Sequence, residues 1–181
     1  MPISAVIITR DEERNIARCL ASLKGVADEI VVVDAQSGDR TRVIATAHGA
    51  AVHVRPWAGY SDQKNFANAL ARHPWILSID ADEALGEALR EDLIGLKARG
   101  LSGAYRMKRL TNYCGHWVRH GGWYPDRKVR LFPKAGSRWV GDHVHEELLL
   151  PEGCAVSDLK GDLLHYSYHS VQDHYDRIER Y

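Results

Sequence analysis

Trp75-Ile76-Leu77-Ser78-Ile79-Asp80-Ala81-Asp82-Glu83 is an apolar run that breaks into three acids within four residues. Positions 75–79 lack polar alternation, the pattern of a strand covered on both faces. Asp80 and Asp82 leave that strand two residues apart and so point the same way. Unpaired, two such carboxylates raise each other's pKa. A divalent cation removes that cost, because hard cations favour carboxylate oxygens. Ligands of open parallel sheets bind beyond the carboxyl ends of the strands, where these acids fall.

Working outward, the same arrangement recurs. Residues 3–9 read as a buried strand ending at Thr9-Arg10-Asp11-Glu12, and 12–23 as a helix with Ile16, Cys19, Leu20 and Leu23 on one face and Asp11 as its cap. Residues 29–33 form a second apolar strand, ending at Asp34-Ala35-Gln36-Ser37-Gly38-Asp39; Asp34 also reads as a plain turn acid. A helix over 39–47 capped by Asp39, a strand over 51–54, a helix over 61–72 capped by Ser61 and a helix over 87–99 complete the first hundred residues. Apolar strands each followed by a helix predict an α/β fold, a mostly parallel sheet with helices on both faces. After residue 100, short mixed strands at 103–110, 128–132, 144–150 and 162–168 predict a smaller antiparallel C-terminal extension. A helix over 170–181 ends without a cap signal, so the chain reads as a piece of a longer one.

Composition bounds the function. The 181 residues are 45% hydrophobic and 27% charged, with 24 basic and 24 acidic side chains. This excludes a disordered chain and a globally basic nucleic-acid binder. Every apolar run is too short for a membrane span or a signal segment, which predicts a cytoplasmic protein meeting a membrane, if at all, by surface contact. Three widely spaced cysteines argue against disulfides or a cysteine zinc site. There is no GxGxxG and no GxxxxGK[ST], so a dinucleotide site or a P-loop is not expected. What remains is a nucleotide diphosphate bound through a metal.

One stretch departs from the balanced charge. Between 103 and 140 lie Arg106, Lys108, Arg109, Arg119, Arg127, Lys128, Arg130, Lys134 and Arg138 against the single acid Asp126, with Trp117, Trp123 and Trp139 interleaved. It reads as a solvated face or as a surface for an anionic acceptor or lipid headgroups.

The motifs together resemble glycosyltransferase family 2 and its GT-A fold. Residues 5–13, Val31-Val32-Val33-Asp34 with Ser37-Gly38-Asp39-Arg40-Thr41, Gln63-Lys64-Asn65 and 77–83 resemble that family's first strand, second strand, nucleotide-contacting helix start and metal motif. His120-Gly121-Gly122-Trp123-Tyr124-Pro125-Asp126, Arg130-Leu131-Phe132, Val144-His145-Glu146 and His165-Tyr166-Ser167-Tyr168 are similar to the subgroup that adds β-linked glucose to the lipopolysaccharide inner core. The family usually has Asn at the place of Asp11 and Asp-Ser-Gly-Ser-Thr-Asp at the place of residues 34–39.

The resemblance implies a nucleotide-sugar half at 1–100 and an acceptor-side half at 101–181 of one domain. It implies a UDP-sugar donor held by Thr9, Arg10, Glu12, Asp34, Lys64, Asn65 and Asp80. Mg²⁺ or Mn²⁺ would sit on Asp82 and His165, Glu146 would be the general base, and an anionic glycolipid would meet His120, Trp123, Tyr124, Asp126 and Arg130. His165 otherwise reads as a core histidine, and His143 with His145 as a weak zinc pattern lacking a third ligand. Two rivals are a sugar-nucleotide nucleotidyltransferase, whose glycine-rich first loop is missing here, and a single-strand nucleic-acid module on residues 103–140, which leaves Asp80, Asp82 and Glu146 without a role.

Overall fold

A computed structural model describes residues 1–141 and 146–178. Strands β1 (Ile3–Thr9), β2 (Glu29–Asp34), β3 (Ala51–Val54) and β4 (Trp75–Ser78) run parallel in the order β3-β2-β1-β4. Helices α1 (Ile16–Ser22), α2 (Thr41–Ala47) and α3 (Tyr60–Leu70) connect them, and a short strand β5 (Glu83–Leu85) leads into α4 (Glu87–Arg99). The second half extends the same sheet. Antiparallel to β4 lies β8 (Asp126–Pro133), then β6 (Ala104–Tyr113), β11 (Val156–Tyr168) and β5, with β7 (His116–Val118) paired to β6. Within this extension β6 and β11 run parallel. The strands β9 (Arg138–Val140) and β10 (Glu147–Leu149) form a two-stranded antiparallel ribbon, and α5 (Val171–Ile178) follows β11.

The lack of polar alternation in β1 has a direct cause. Ile3, Ala5 and Ile7 pack into one cluster with Ile16, Cys19 and Leu20 of α1, Ala45 of α2, and Leu89 and Leu93 of α4. Val6 packs into the opposite cluster with Val31, Val33, Ile76, Phe132, Trp139 and Ala67 of α3. Each large side chain so buried contributes about 1.5–3 kcal/mol. Helices therefore cover both faces.

Two expected helix caps do not form. Asp11 has a left-handed backbone (φ 52) and its carboxylate accepts the Gly38 N–H at 2.7 Å, while α1 begins later, after Asn15. Residues 10–15 instead build an edge loop. Ser61 lies inside α3, which Gly59 precedes, and its hydroxyl donates to the Gly141 carbonyl at 2.7 Å. Asp39 lies one residue before the N-cap of α2, which is Arg40, and its Oδ1 accepts the N–H of the first helical residue, Thr41, at 2.9 Å. The expected strand at 144–150 is described only from Glu146 onward, and His143 and His145 lie outside the described residues. β5, β7 and β9 are three residues each, too short to show a period. At Gly161 (φ +81) a Cβ would collide with the backbone of Leu89, so β11 passes under α4 only because this position is glycine. No helix of the described residues is long and apolar enough to cross a membrane.

Candidate active site

The carboxyl ends of β1 and β2 carry two loops that lie side by side. Asp11 N–H donates to Ser37 Oγ at 2.9 Å, Glu12 N–H to Thr41 Oγ1 at 2.8 Å and Glu13 N–H to Asp39 Oδ2 at 3.0 Å. Asp34 is fully buried beneath them, accepting from the Ser37 N–H and hydroxyl, with Arg42 at 3.8 Å. The buried Thr9 hydroxyl has no hydrogen-bond partner among the described residues. Arg10 is exposed beside Asp11 at 3.7 Å, and Glu12 accepts from the Asn15 side chain at 2.9 Å. Thr9, Arg10, Glu12 and Asp34 thus share one edge. Asn65 is engaged differently. Its amide donates to the Trp139 carbonyl at 2.8 Å and accepts from the Trp139 N–H at 2.9 Å, which stitches α3 to β9.

Asp80 and Asp82 diverge, contrary to the expectation that they act as a mutually repelling pair. A turn follows Asp80, and the chain re-enters the sheet as β5. Asp80 Oδ2 accepts from Arg130 Nη2 at 2.7 Å, and its Oδ1 lies 3.6 Å from Lys64 Nζ. Burial opposes the Asp80 charge, but Arg130 and then Lys64 outweigh it and hold the carboxyl well below the usual range. Arg130 is itself 4% exposed and clamped by Glu83 at 2.6 Å, so it lies under the site and not on the acceptor surface expected for it.

These contacts belong to a longer chain of alternating sign. Glu146 meets Lys64 at 2.7 Å, Arg130 joins Asp80 to Glu83, Glu83 lies 3.6 Å from Arg109, Arg109 meets Asp126 at 2.6 Å, and Asp126 meets Lys128 at 3.2 Å. Four acids face four bases, so the path from Glu146 to Lys128 is neutral overall. Glu83, 1% exposed, is the member that sequence reading quoted without giving it a role. The available signal was a carboxylate opening the otherwise apolar strand Glu83-Ala84-Leu85.

Asp82 turns the other way. β11 pairs antiparallel with β5 so that His165 lies opposite Glu83, the residue after Asp82. The Tyr166 N–H donates to the Asp82 carbonyl at 2.8 Å, and Asp82 Oδ2 lies 3.3 Å from His165 Nε2. Thr111 Oγ1 is 3.2 Å from His165 Nδ1. Two residues 83 apart in sequence therefore present a carboxylate oxygen and an imidazole nitrogen to one point. That donor set fits a divalent cation completed by oxygens of a diphosphate, since carboxylate suits Mg²⁺ and Mn²⁺ and imidazole is accepted by transition metals. No group of three or more metal-ligating side chains occurs among the described residues; Asp82 and His165 are the pair there that could share a cation. All three cysteines are free. Cys19 Sγ lies 3.6 Å from the Asp80 carbonyl, and burial followed by the nearby Glu83 and Asp82 raises its pKa well above normal, keeping it a neutral thiol.

His165 also lines a cleft of about 350 Å³ with Arg109, Thr111, Trp123, Asp126 and Tyr168. This brings Trp123 and Asp126 of the expected acceptor set into one cleft with His165. Tyr124 donates its hydroxyl to Asp162 at 2.8 Å, and the exposed His120 accepts the Trp123 N–H through its carbonyl. The basic stretch is largely neutralised. Arg106 pairs with Asp158, Lys108 and Arg119 with Asp162, Arg109 and Lys128 with Asp126, and Arg130 with Asp80 and Glu83. Lys134 donates to the Ala69 and Ala71 carbonyls at the end of α3. Most of the acids come from β11 and β5, which sequence spacing alone does not bring near.

The profile of glycosyl transferase family 2 matches residues 4–142. The chain belongs to glycosyl transferase family 2. A family relative is the lipopolysaccharide core biosynthesis glycosyltransferase LpsC of Rhizobium meliloti strain 1021, 36% identical over 174 residues that make up 92% of this chain and 63% of LpsC. The chain spans less than two thirds of the length of the first curated relatives it matches. Among solved structures, Staphylococcus aureus TarS 1–349 in complex with UDP-GlcNAc superposes with a TM-score of 0.63 at 19% identity, covering 93% of this chain and 58% of TarS. Glucosyl-3-phosphoglycerate synthase of Mycobacterium tuberculosis, crystallised with Mn²⁺, UDP and glucosyl-3-phosphoglycerate, superposes with a TM-score of 0.50 at 23% identity, covering 61% of this chain and 44% of that one. At these identities the likeness is one of fold, and the family 2 chain has the GT-A architecture.

Proposed function

We propose that this chain carries the donor site and base of a metal-dependent, inverting hexosyltransferase. It would move a hexose, glucose in this reading, from a UDP-sugar to an anionic glycolipid of the lipopolysaccharide-core kind. The observation that carries the reading is the meeting of Asp82 and His165 at the strand ends, at the wall of a cleft that also holds Trp123 and Asp126. LpsC supports the acceptor class by its name, and the TarS and synthase complexes support a UDP-sugar and a divalent cation. The glycolipid acceptor places the protein at the inner face of a cytoplasmic membrane, in peripheral contact.

Asp82 and His165 would hold Mg²⁺ or Mn²⁺, which supplies charge neutralisation for the departing diphosphate. Thr9, Arg10, Glu12 and Asp34 line the nucleotide side. Lys64 donates to Glu146 Oε1 at 2.7 Å and so fixes the carboxylate in place. Glu146 then takes the proton of the acceptor hydroxyl, within hydrogen-bond reach of it. Attack opposite the leaving group turns an α-linked donor into a β-linked product.

The test is incubation with UDP-glucose and other UDP-hexoses, Mg²⁺ and deacylated lipopolysaccharide core, with mass spectrometry for a product heavier by one hexose. Glu146→Gln should lower transfer by about 10²–10⁴-fold, the usual scale of general-base loss, with UDP-sugar affinity unchanged. Transfer at the wild-type rate, or loss of donor binding in the variant, would contradict the assignment.

A further inference from the structure

The neutralised charges bear on what the cleft accepts. A phosphate or carboxylate on the acceptor ring would need an unpaired Arg or Lys in the cleft wall, because burying an anion without a partner is costly. Among the described residues the lining offers no such group. Arg109 is held by Asp126 at 2.6 Å and lies 3.6 Å from Glu83, and the neighbouring Lys128 is held by Asp126 at 3.2 Å. His165 faces Asp82. The two members of the 103–140 stretch that make no salt bridge or side-chain hydrogen bond among the described residues, Arg127, which acts on Asp158 only through its charge, and Arg138, are not among the cleft residues.

What the cleft does offer is different. Trp123 is 40% exposed, braced edge-on against Tyr113 at 6.1 Å, and Tyr168 shares the wall while packing on the same Tyr113 at 5.4 Å. Braced aromatic faces suit the apolar C–H face of a sugar ring, which gains by leaving water. Beside them the Arg109–Asp126 pair presents a donor fork and an acceptor carboxylate, the two functions that a ring hydroxyl pairs with at once. Buried Glu83 fixes Arg109 from behind. The volume of about 350 Å³ is at the small end for ligand sites, matching a single ring more than an extended chain.

We infer that this cleft is the subsite for the reacting acceptor ring, and that it selects an uncharged sugar: Trp123 and Tyr168 stack on the ring, and Arg109 with Asp126 reads its hydroxyls. Anionic groups of the acceptor stay outside the cleft. The inference rests on the glycosyl-transfer reading above and names the ring class within it.

Saturation-transfer NMR with UDP and Mg²⁺ present tests it, using methyl glycosides of a hexose and of a heptose and the same glycosides carrying one phosphate. The neutral glycosides should bind, their phosphates should bind no better, and raising salt from about 50 to about 500 mM should leave the neutral affinity within about twofold. Trp123→Ala and Asp126→Asn should each weaken the glycoside by about tenfold or more, roughly 1.4 kcal/mol. UDP affinity and melting temperature should hold within error for at least one of them. Tighter, salt-sensitive binding of the phosphates overturns the inference. So does failure of every glycoside while UDP still binds, or wild-type glycoside binding in both variants. Failure of UDP itself to bind identifies the donor reading as the part at fault and removes the basis of this one.

Discussion

Arg130 shows how one buried side chain organises the acids that sequence reading singled out. Its guanidinium bridges Asp80 at 2.7 Å and Glu83 at 2.6 Å. Arg130→Met removes the partner of two carboxylates in one step and should cost about 3–5 kcal/mol, roughly 6–20 °C in Tm for a chain of this size. Urea or thermal denaturation reads this directly, and a change under about 1 kcal/mol would mean the bridge carries no stability. The pairing also sets a pH dependence. Burial opposes the Asp80 charge, and Arg130 and Lys64 outweigh it, so the folded pKa lies below the unfolded value near 3.9. Its contribution is fully present above that unfolded value and is lost as pH falls through the lower folded one. The Tm gap between wild type and Asp80→Asn should therefore stay constant from pH 7 to about 4 and close below it. A gap that closes already between pH 7 and 5 would contradict the pairing.

At the scale of elements, β11 decides where the site forms. It pairs with β6 on one side and β5 on the other, and that register sets His165 against Asp82. β9 is placed by a different device, the two hydrogen bonds between the Asn65 amide and the Trp139 backbone. Asn65→Ala should cost about 1–3 kcal/mol, two hydrogen bonds' worth, and should speed amide exchange at Trp139 ahead of the rest of the sheet. Exchange at Trp139 unchanged would show that β9 is held by other means. The parallel strands were legible as continuous apolar runs and α4 by its helical period, and the bounds of β3 and α4 fall where the pattern places them. Caps were less legible. Asp11 and Ser61 have the right chemistry, but their side chains are drawn to Gly38 and Gly141 by contacts across the fold.

Over the whole molecule, one continuous sheet carries the proposed donor edge and the proposed acceptor cleft at the same end. The donor edge was legible in the sequence, because the acids sit where apolar strands stop. The charge of the second half was not. Its basic residues are matched by Asp158 and Asp162 from β11 and by Glu83 from β5, pairings made only by strand order. Arg127→Ser should accordingly leave stability within about 0.5 kcal/mol, unlike Arg130, although the two look alike in sequence. In the proposed reaction Asp82 and His165 together hold the cation on a bound nucleotide. Electron spin-echo spectroscopy of Mn²⁺ with UDP tests it most directly. Wild type should show nitrogen modulation from a directly bound imidazole, His165→Ala should lose it, and Asp82→Asn should weaken Mn²⁺ binding in the presence of UDP. Equal UDP affinity in Mn²⁺ and in EDTA, or nitrogen modulation that survives in His165→Ala, would contradict it.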